Sequence, residues 1–360
     1  MNLNFWKDKR VFLTGHTGFK GSWLSRILVG AGAELTGYAL EPIAKPNLFE
    51  LCEVEDKMNS IIGDIRDLKR LEEAFCDANP EIVIHMAAQP LVRESYEKPV
   101  YTYETNVMGA VNLLECIRLH GASVKSVINV TTDKVYYNSE WCWGYRESDP
   151  LDGFDPYSNS KSCSELVTNS YRSAYFSEKG VACTTVRAGN VIGGGDFSEN
   201  RIIPDCVKAA LNKEKIVVRN PYSVRPYQHV LEPLFAYLMI AERQYEDNEI
   251  AGSYNVGPNE SDCVTTGYLV DSFCKAWGKS QGWENMNLGG PHEAGLLKLD
   301  CSKLKSVLNW SPKWDVAYAI EKTIQWTVAY KENESIPEIM DKQISEYLTF
   351  SVGDCGASPQ

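Results

Sequence analysis

Two short stretches hold side chains whose types and spacing could do chemistry. The first is TTDKVYYN, residues 131–138, directly after the apolar run SVINV at 126–130. The second is DPYSNSK, residues 155–161, in which Tyr157 and Lys161 stand four apart. On a helix that spacing puts both on one face, within reach of a common ligand. A free tyrosine titrates near pH ~10, so a base at neutrality needs a cation such as the Lys161 ammonium beside it. Thr132 could steady a substrate hydroxyl. Asp133 and Lys134 go further, setting a proton donor beside a proton acceptor. Simple hydride transfer has no use for that extra pair, whereas an elimination needs it. Taken singly, either stretch is short enough to be a solvated loop, so the elements that carry them decide.

The first half of the chain alternates strand-like runs with amphipathic ones. RVFLTG (10–15) reads as a strand, KGSWLSRILVGAG (20–32) as a helix ending in glycine, and AELTGYAL (33–40) and IVIHMAA (82–88) as further strands. TYETNVMGAVNLLECIRLHG (102–121) has helical spacing, and SVINVTT (126–132) returns to strand. This order predicts an α/β fold, a Rossmann-type doubly wound parallel sheet with helices on both faces. Beyond residue 188 glycine- and proline-containing loops interrupt shorter elements, which predicts a smaller α/β substrate-binding domain. The expected division is 1–188 plus about 229–254 for the first domain, 189–228 and 255–345 for the second, and 346–360 as a tail.

The first strand runs into TGHTGFKG (14–21), with glycines at 15, 18 and 21. In the first βα turn such glycines allow a tight bend, and the helix start offers amides to a pyrophosphate. Dinucleotide binding through Gly15, His16, Thr17, Gly18, Phe19, Lys20 and Gly21 is the expectation. The acidic residue that usually ends the second strand and holds the ribose hydroxyls is missing. The strand reads GYALEP, with Glu41 late and no arginine for a 2′-phosphate, so NAD is favoured over NADP.

The formal charge of −12, from 36 basic and 48 acidic residues, argues against nucleic acid or an anionic membrane as partner. An anionic ligand would need a local basic cluster. Eleven cysteines without a CxxC pair, behind a charged opening MNLNFWKDKR, are expected to be reduced thiols of a cytoplasmic protein. Cys163 is expected to be a packed thiol. The histidines show no HxH or HExxH spacing, so no metal is expected, and the apolar stretch LFAYLMIA (234–241) is too short to span a bilayer.

The GxxGxxG spacing resembles the extended short-chain dehydrogenase/reductase family. That resemblance implies that Asp64 and Ile65 of GDIRD border the adenine, and that Ala87, Ala88 and Gln89 of HMAAQ lie beneath the pyrophosphate and nicotinamide ribose. Tyr157 and Lys161 would also touch the cofactor. Within this family the chain resembles the CDP-D-glucose 4,6-dehydratases over nearly its whole length, including VFLTGHTGFKGSWL, TTDKVYYN, DPYSNSK, GNVIGGGDF, RIIPD and RNPYSVRPYQHVLEPL. The dTDP-glucose dehydratases are similar but carry Asp-Glu where this chain has Asp133-Lys134; some UDP-sugar dehydratases share the lysine.

The resemblance implies oxidation at C4 with Tyr157 taking the hydroxyl proton. Removal of the C5 proton by Lys134 and loss of the C6 hydroxyl with a proton from Asp133 would follow, then reduction at C6. That scheme needs Lys134 without its proton and Asp133 with one, and mutual pairing would oppose both. Asn190 would approach the diphosphate, with Arg201, Arg219 and Arg225 forming the basic clamp. Asn106 would buttress the catalytic strand. Trp141 and Trp143 are expected in a packed core, although their loop could cap the sugar. A homodimer through segments 102–121 and 157–178 is expected, with pairing into tetramers left open. The product would feed 3,6-dideoxyhexose synthesis for bacterial surface polysaccharide such as the O-antigen. A dTDP- or UDP-sugar dehydratase, a nucleotide-sugar 4-epimerase and a non-enzymatic NAD-sensing protein are the alternatives, the last two disfavoured by the Asp-Lys pair and by the intact Tyr157 and Lys161.

Overall fold

Val11, Phe12 and Leu13 are all buried, as expected of a strand covered on both faces. The computed structural model describes residues 2–42, 45–278, 281–286 and 294–350. Its main strands are β1 (Arg10–Thr14), β2 (Glu34–Ala39), β3 (Asn59–Ile62), β4 (Ile82–His85), β5 (Ser126–Val130) and β6 (Ala182–Arg187). Shorter ones follow: β7 (Val191–Ile192), β8 (Ile216–Val218), β9 (Val224–Pro226), β10 (Gln228–His229), β11 (Ser253–Asn255), β12 (Cys263–Thr265) and β13 (Trp283–Asn285).

The central sheet has seven strands in the order β11-β6-β5-β4-β1-β2-β3, and all its pairings are parallel. The order reverses between β1 and β4, and open α/β sheets bind ligands in the crevice at that point. Side chains alternate across β1, with Val11 and Leu13 joining one core and Phe12 the other. The first core takes in the helices Phe19–Gly30 and Leu231–Glu246 through Trp23, Leu24, Leu234 and Leu238. The second takes in Leu68–Ala78 and Gly109–His120 through Leu71, Phe75, Leu113 and Ile117. A third core joins Ile203, Cys206, Ile216, Leu269, Phe273 and Ile320 beyond the sheet's ligand edge. It packs the helices Ile202–Leu211, Thr266–Trp277 and Val316–Lys331 with the short pairs β9–β12 and β8–β13.

Several elements differ from expectation, each for a local reason. The strand expected over 82–88 ends at His85 because the Thr14 hydroxyl captures the amides of Met86 and Ala87, both at 3.1 Å. The helix expected over 102–121 contains a π-turn, Glu104–Met108. The extra residue of such a turn re-aims side chains at functional sites, and here Asn106 is buried. Residues 346–349, expected in the tail, form the last turn of the helix Ile336–Thr349. Tyr347 holds that turn down, buried and donating to Glu232 at 2.8 Å. The stretch 351–360 lies outside the described residues. Trp141 packs with Tyr136 and Tyr145, whereas Trp143 is 69% exposed, so only the first has a core position. Among the described residues no helix is long and apolar enough to cross a membrane.

Candidate active site

The helix that carries Tyr157 and Lys161 begins with strong local signals. Asp155 caps it by accepting from the Ser158 amide at 2.9 Å, and Pro156 supplies its first residue. Tyr157 and Lys161 therefore enter the site one turn apart, beside the end of β5. Lys161 is buried, and its Nζ donates to the Val130 carbonyl at 3.1 Å. Burial takes its pKa down to about 8, with Glu165 one turn further on opposing that fall. Tyr157 is pushed up to about 12 by burial, while a hydrogen bond with Thr132 pulls it back.

After β5 the chain makes a 3-10 turn, Asp133–Val135. Asp133 is fully buried and accepts from the Thr132 hydroxyl at 2.9 Å, Lys134 Nζ at 2.9 Å and Asn190 Nδ2 at 3.0 Å. Lys134 is 30% exposed and borders the cavity. Asn190, expected at the diphosphate, lines the cavity and gives its amide to Asp133, from a left-handed backbone at φ 48° that asparagine tolerates. Gly189 permits the approach, since a Cβ there would lie 2.0 Å from the Asp133 carboxyl carbon.

Below this pair lies a buried network that the sequence reading did not single out. Glu165 accepts from the Thr131 hydroxyl, from Thr185 at 2.7 Å and from Arg187 at 2.8 Å. Arg187 also donates to the Tyr136 hydroxyl at 2.8 Å. It thereby ties β6 to the catalytic helix and to the turn after Lys134. The only signal in the sequence was Glu165 falling four residues after Lys161, on the same helix face. Asn106 joins the loop after β4 to that helix, donating to Gln89 O at 3.1 Å and Ser160 Oγ at 2.9 Å. It thus braces the catalytic helix rather than the strand. Cys163 is partly buried, its pKa raised by burial, and packs by Asn159.

The glycine loop fits a dinucleotide. Gly15 turns at φ 80°, and a Cβ on Gly21 would meet the Gly15 carbonyl at 2.0 Å. Both positions therefore require glycine. Gly18 caps the helix Phe19–Gly30 without a side-chain hydrogen bond, so the first-turn amides of Phe19, Lys20 and Gly21 can receive a phosphate. The Thr17 hydroxyl donates to Leu40 O at 2.8 Å and fixes the loop against the end of β2. His16 turns its imidazole inward to Ser60 and Phe49, where burial lowers its pKa to about 4. It offers a cofactor backbone only. Asp64 is clamped by Arg66 at 2.7 Å, and Ile65 is buried against Gly109, so its side chain belongs to the core instead of an adenine face. Gln89 is likewise buried, holding Thr102 and Leu91. Ala87 packs against Gly15, whereas Ala88 reaches the cavity.

One large cavity, about 1340 Å³, joins these parts. Its wall includes Phe19, Lys20, Lys134, Tyr157 and Lys161 together with Arg201, Arg219 and Arg225. Ordinary small-molecule sites run to about 1,000 Å³, so this one has room for two ligands meeting at Tyr157. The arginines are held lightly: Arg201 lies 3.5 Å from Asp196, Arg219 donates to Asn200 at 3.0 Å, and Arg225 donates to the carbonyls of Val224 and Ala294. Their free donors can take an anion. Lys20 makes no hydrogen bond among the described residues and lies 5.6 Å over the Tyr237 ring. Burial, then Lys161 and Arg201, take it down to about 7.

A Rossmann-type sheet, a glycine phosphate loop, a Tyr–Lys pair and an arginine-lined cavity together define a short-chain dehydrogenase/reductase-type enzyme acting on an anionic substrate. Comparison with known proteins narrows this class. The family described as GDP-mannose 4,6 dehydratase matches residues 12–323, and the chain belongs to that dehydratase family. It is 47% identical to the CDP-glucose 4,6-dehydratase of Salmonella typhimurium, over 97% of this chain and 99% of that one. A UDP-glucose 4-epimerase of Thermus thermophilus, solved with NAD, is 26% identical with a TM-score of 0.76, over 88% of this chain and 98% of that one. The dTDP-glucose 4,6-dehydratase of Bacillus anthracis shares the fold at 22% identity, with a TM-score of 0.75 over 92% of this chain and 99% of that one.

Proposed function

We propose that the protein converts CDP-D-glucose to CDP-4-dehydro-6-deoxy-D-glucose and water, using NAD. The observation that carries this reading is the Asp133–Lys134 pair, hydrogen-bonded at 2.9 Å, with Lys134 bordering the same cavity as Tyr157 and Asp133 buried directly behind it. A 4-epimerase has no step that uses it. The 47% identical dehydratase supports the cytidine nucleotide.

Gly15 to Gly21, with Tyr157 and Lys161, would hold the cofactor, which when bound supplies a hydride acceptor for C4 and a hydride donor for C6. Tyr157 takes the C4 hydroxyl proton, held in line by Thr132. Lys161 keeps a positive charge near the phenol and favours its phenolate. The C4 ketone acidifies the C5 hydrogen. In the ion pair Lys134 cannot take a proton and Asp133 cannot give one, but one proton moved from Lys134 Nζ to Asp133 makes both competent. Lys134 then takes the C5 proton, Asp133 protonates the departing C6 hydroxyl, and a double bond forms between C5 and C6. Lys134 returns its proton to C5 as C6 is reduced.

The arginine clamp receives the diphosphate. The helices around 99–120 and 156–176 leave Val100, Met108, Leu166 and Tyr175 exposed. We propose that these faces pack against a second copy in a homodimer acting in the cytoplasm, its product serving surface-polysaccharide synthesis. The test incubates the protein and NAD⁺ with CDP-, dTDP-, UDP- and GDP-glucose and follows mass. Loss of water from CDP-glucose in preference to the others is expected; an isomer of unchanged mass would mean an epimerase.

A further inference from the structure

Asp205 borders the active-site cavity, yet the mechanism above gives it no task. It lies one turn past Arg201 on the helix Ile202–Leu211, its amide bonded to the Arg201 carbonyl at 2.9 Å. A helical turn advances about 5.4 Å, so Asp205 stands next beyond the clamp. Its carboxyl is partly buried and makes no hydrogen bond or ion pair among the described residues. Burial pushes it above the ordinary carboxylate range, while Arg219, Lys208 and Arg93 pull it down from beyond ion-pair distance. The cavity wall beside it is apolar, formed by Ile202, Pro204, Val217 and Val218. Apolar wall residues beside one unsatisfied acceptor suit an aromatic ring that carries an N–H donor.

The order of parts in a nucleotide sugar, and the position of Asp205 one turn from Arg201, say which part of a ligand reaches it. A nucleotide sugar with its hexose at Tyr157 and its diphosphate at Arg201, Arg219 and Arg225 has its base beyond the arginines. We propose that Asp205 reads that base, its carboxylate accepting a hydrogen bond from the exocyclic amine of cytosine. Uracil and thymine present a carbonyl oxygen at the same ring position. They would set acceptor against acceptor, leaving the carboxylate unpaired and repelled. Sites built to take an N–H reject analogues that lack it far more strongly than apolar slots reject a change of size. This inference rests on the reading of CDP-hexose as substrate, and it makes Asp205 a specificity-determining residue.

The test measures kcat/KM for CDP-glucose and UDP-glucose, with NAD⁺ added, in the wild type and in Asp205→Asn. An asparagine can turn its amide N–H toward a carbonyl oxygen, so the CDP-to-UDP ratio should fall by about tenfold to a hundredfold, carried mainly by KM. Asp205→Ser, which also removes the charge, gives the same readout if the asparagine variant melts early. A wild-type preference for cytosine that survives both substitutions within twofold overturns the role of Asp205 and leaves the substrate reading standing. A wild type without that preference overturns both.

Discussion

Replacing Glu165 by glutamine should damage both the fold and the reaction, because the residue neutralises a buried cation. The Arg187 and Glu165 side chains are only 3% and 2% exposed and meet at 2.8 Å. Breaking such a pair from one side costs about 3–5 kcal/mol, since the remaining charge stays buried without its partner. At about 2.1 cal/mol/K of unfolding entropy per residue, a chain of this length should lose roughly 4–7 °C of melting temperature. Glu165 also receives the hydroxyls of Thr131 and Thr185, one at the root of the TTDK turn and one on β6. The loss should therefore appear in kcat as well as in stability. Scanning calorimetry and urea unfolding read the first effect, and initial rates on CDP-glucose read the second. The double variant Glu165→Met/Arg187→Met, with neither charge left, should be more stable than Glu165→Gln alone. A Glu165→Gln protein melting within a degree of the wild type would refute the reasoning.

Three further outcomes are expected. Gly189→Ala puts a Cβ 2.0 Å from the Asp133 carboxyl carbon, and a displacement of about 1 Å can cost 10²-fold. Dehydration should fall by about that factor in a protein whose circular dichroism is unchanged, and near-normal rates would count against the placement of Asp133. Lys20→Met removes a cation, with a pKa near 7, from a cavity that must accept the positive oxidised nicotinamide. Calorimetric titration should find tighter NAD⁺ binding than wild type at pH 6 and a smaller difference at pH 8; equal affinities at pH 6 would contradict this. Burial lowers His16 to about 4 and His85 and His229 to about 3. Below the unfolded value of about 6.5 the unfolded chain binds protons that the folded one refuses, so stability falls as pH drops through that window. Glu232, raised to about 7 by burial, works the other way, as do Asp205, Glu242 and Asp262 with smaller rises, and the three deeply lowered histidines outweigh them. A melting temperature that stays flat from pH 7 to pH 5 would be the contrary result.

What was legible in the sequence follows from the range of the interactions involved. β1 and β5 announce themselves because strands buried on both faces need continuous apolar residues, and the Asp155–Pro156 cap starts the catalytic helix by contacts within three residues. Tyr157, Lys161, Asp133 and Lys134 were found because local chain geometry alone brings each pair together. The bond of Asn190 to Asp133 was out of reach of the sequence, since it spans 57 residues and depends on β6 lying beside β5. The π-turn at 104–108 leaves no mark in hydrophobic spacing, although it carries the buried Asn106 that braces the catalytic helix. Motif position placed Ile65 beside the cofactor, and only the packing of Gly109 shows that its side chain lies in the core.

The proposed conversion of a C4 oxidation into loss of water depends on Asp133 and Lys134. It is tested most directly with CDP-glucose carrying deuterium at C4, in wild type and in Lys134→Met, with product position read by NMR. The wild type should release water and carry the deuterium at C6, while Lys134→Met should still oxidise C4, seen as cofactor absorbance near 340 nm, without losing water. Deuterium that remains at C4 in an unchanged-mass product, or a Lys134→Met enzyme that dehydrates at the wild-type rate, would contradict the account.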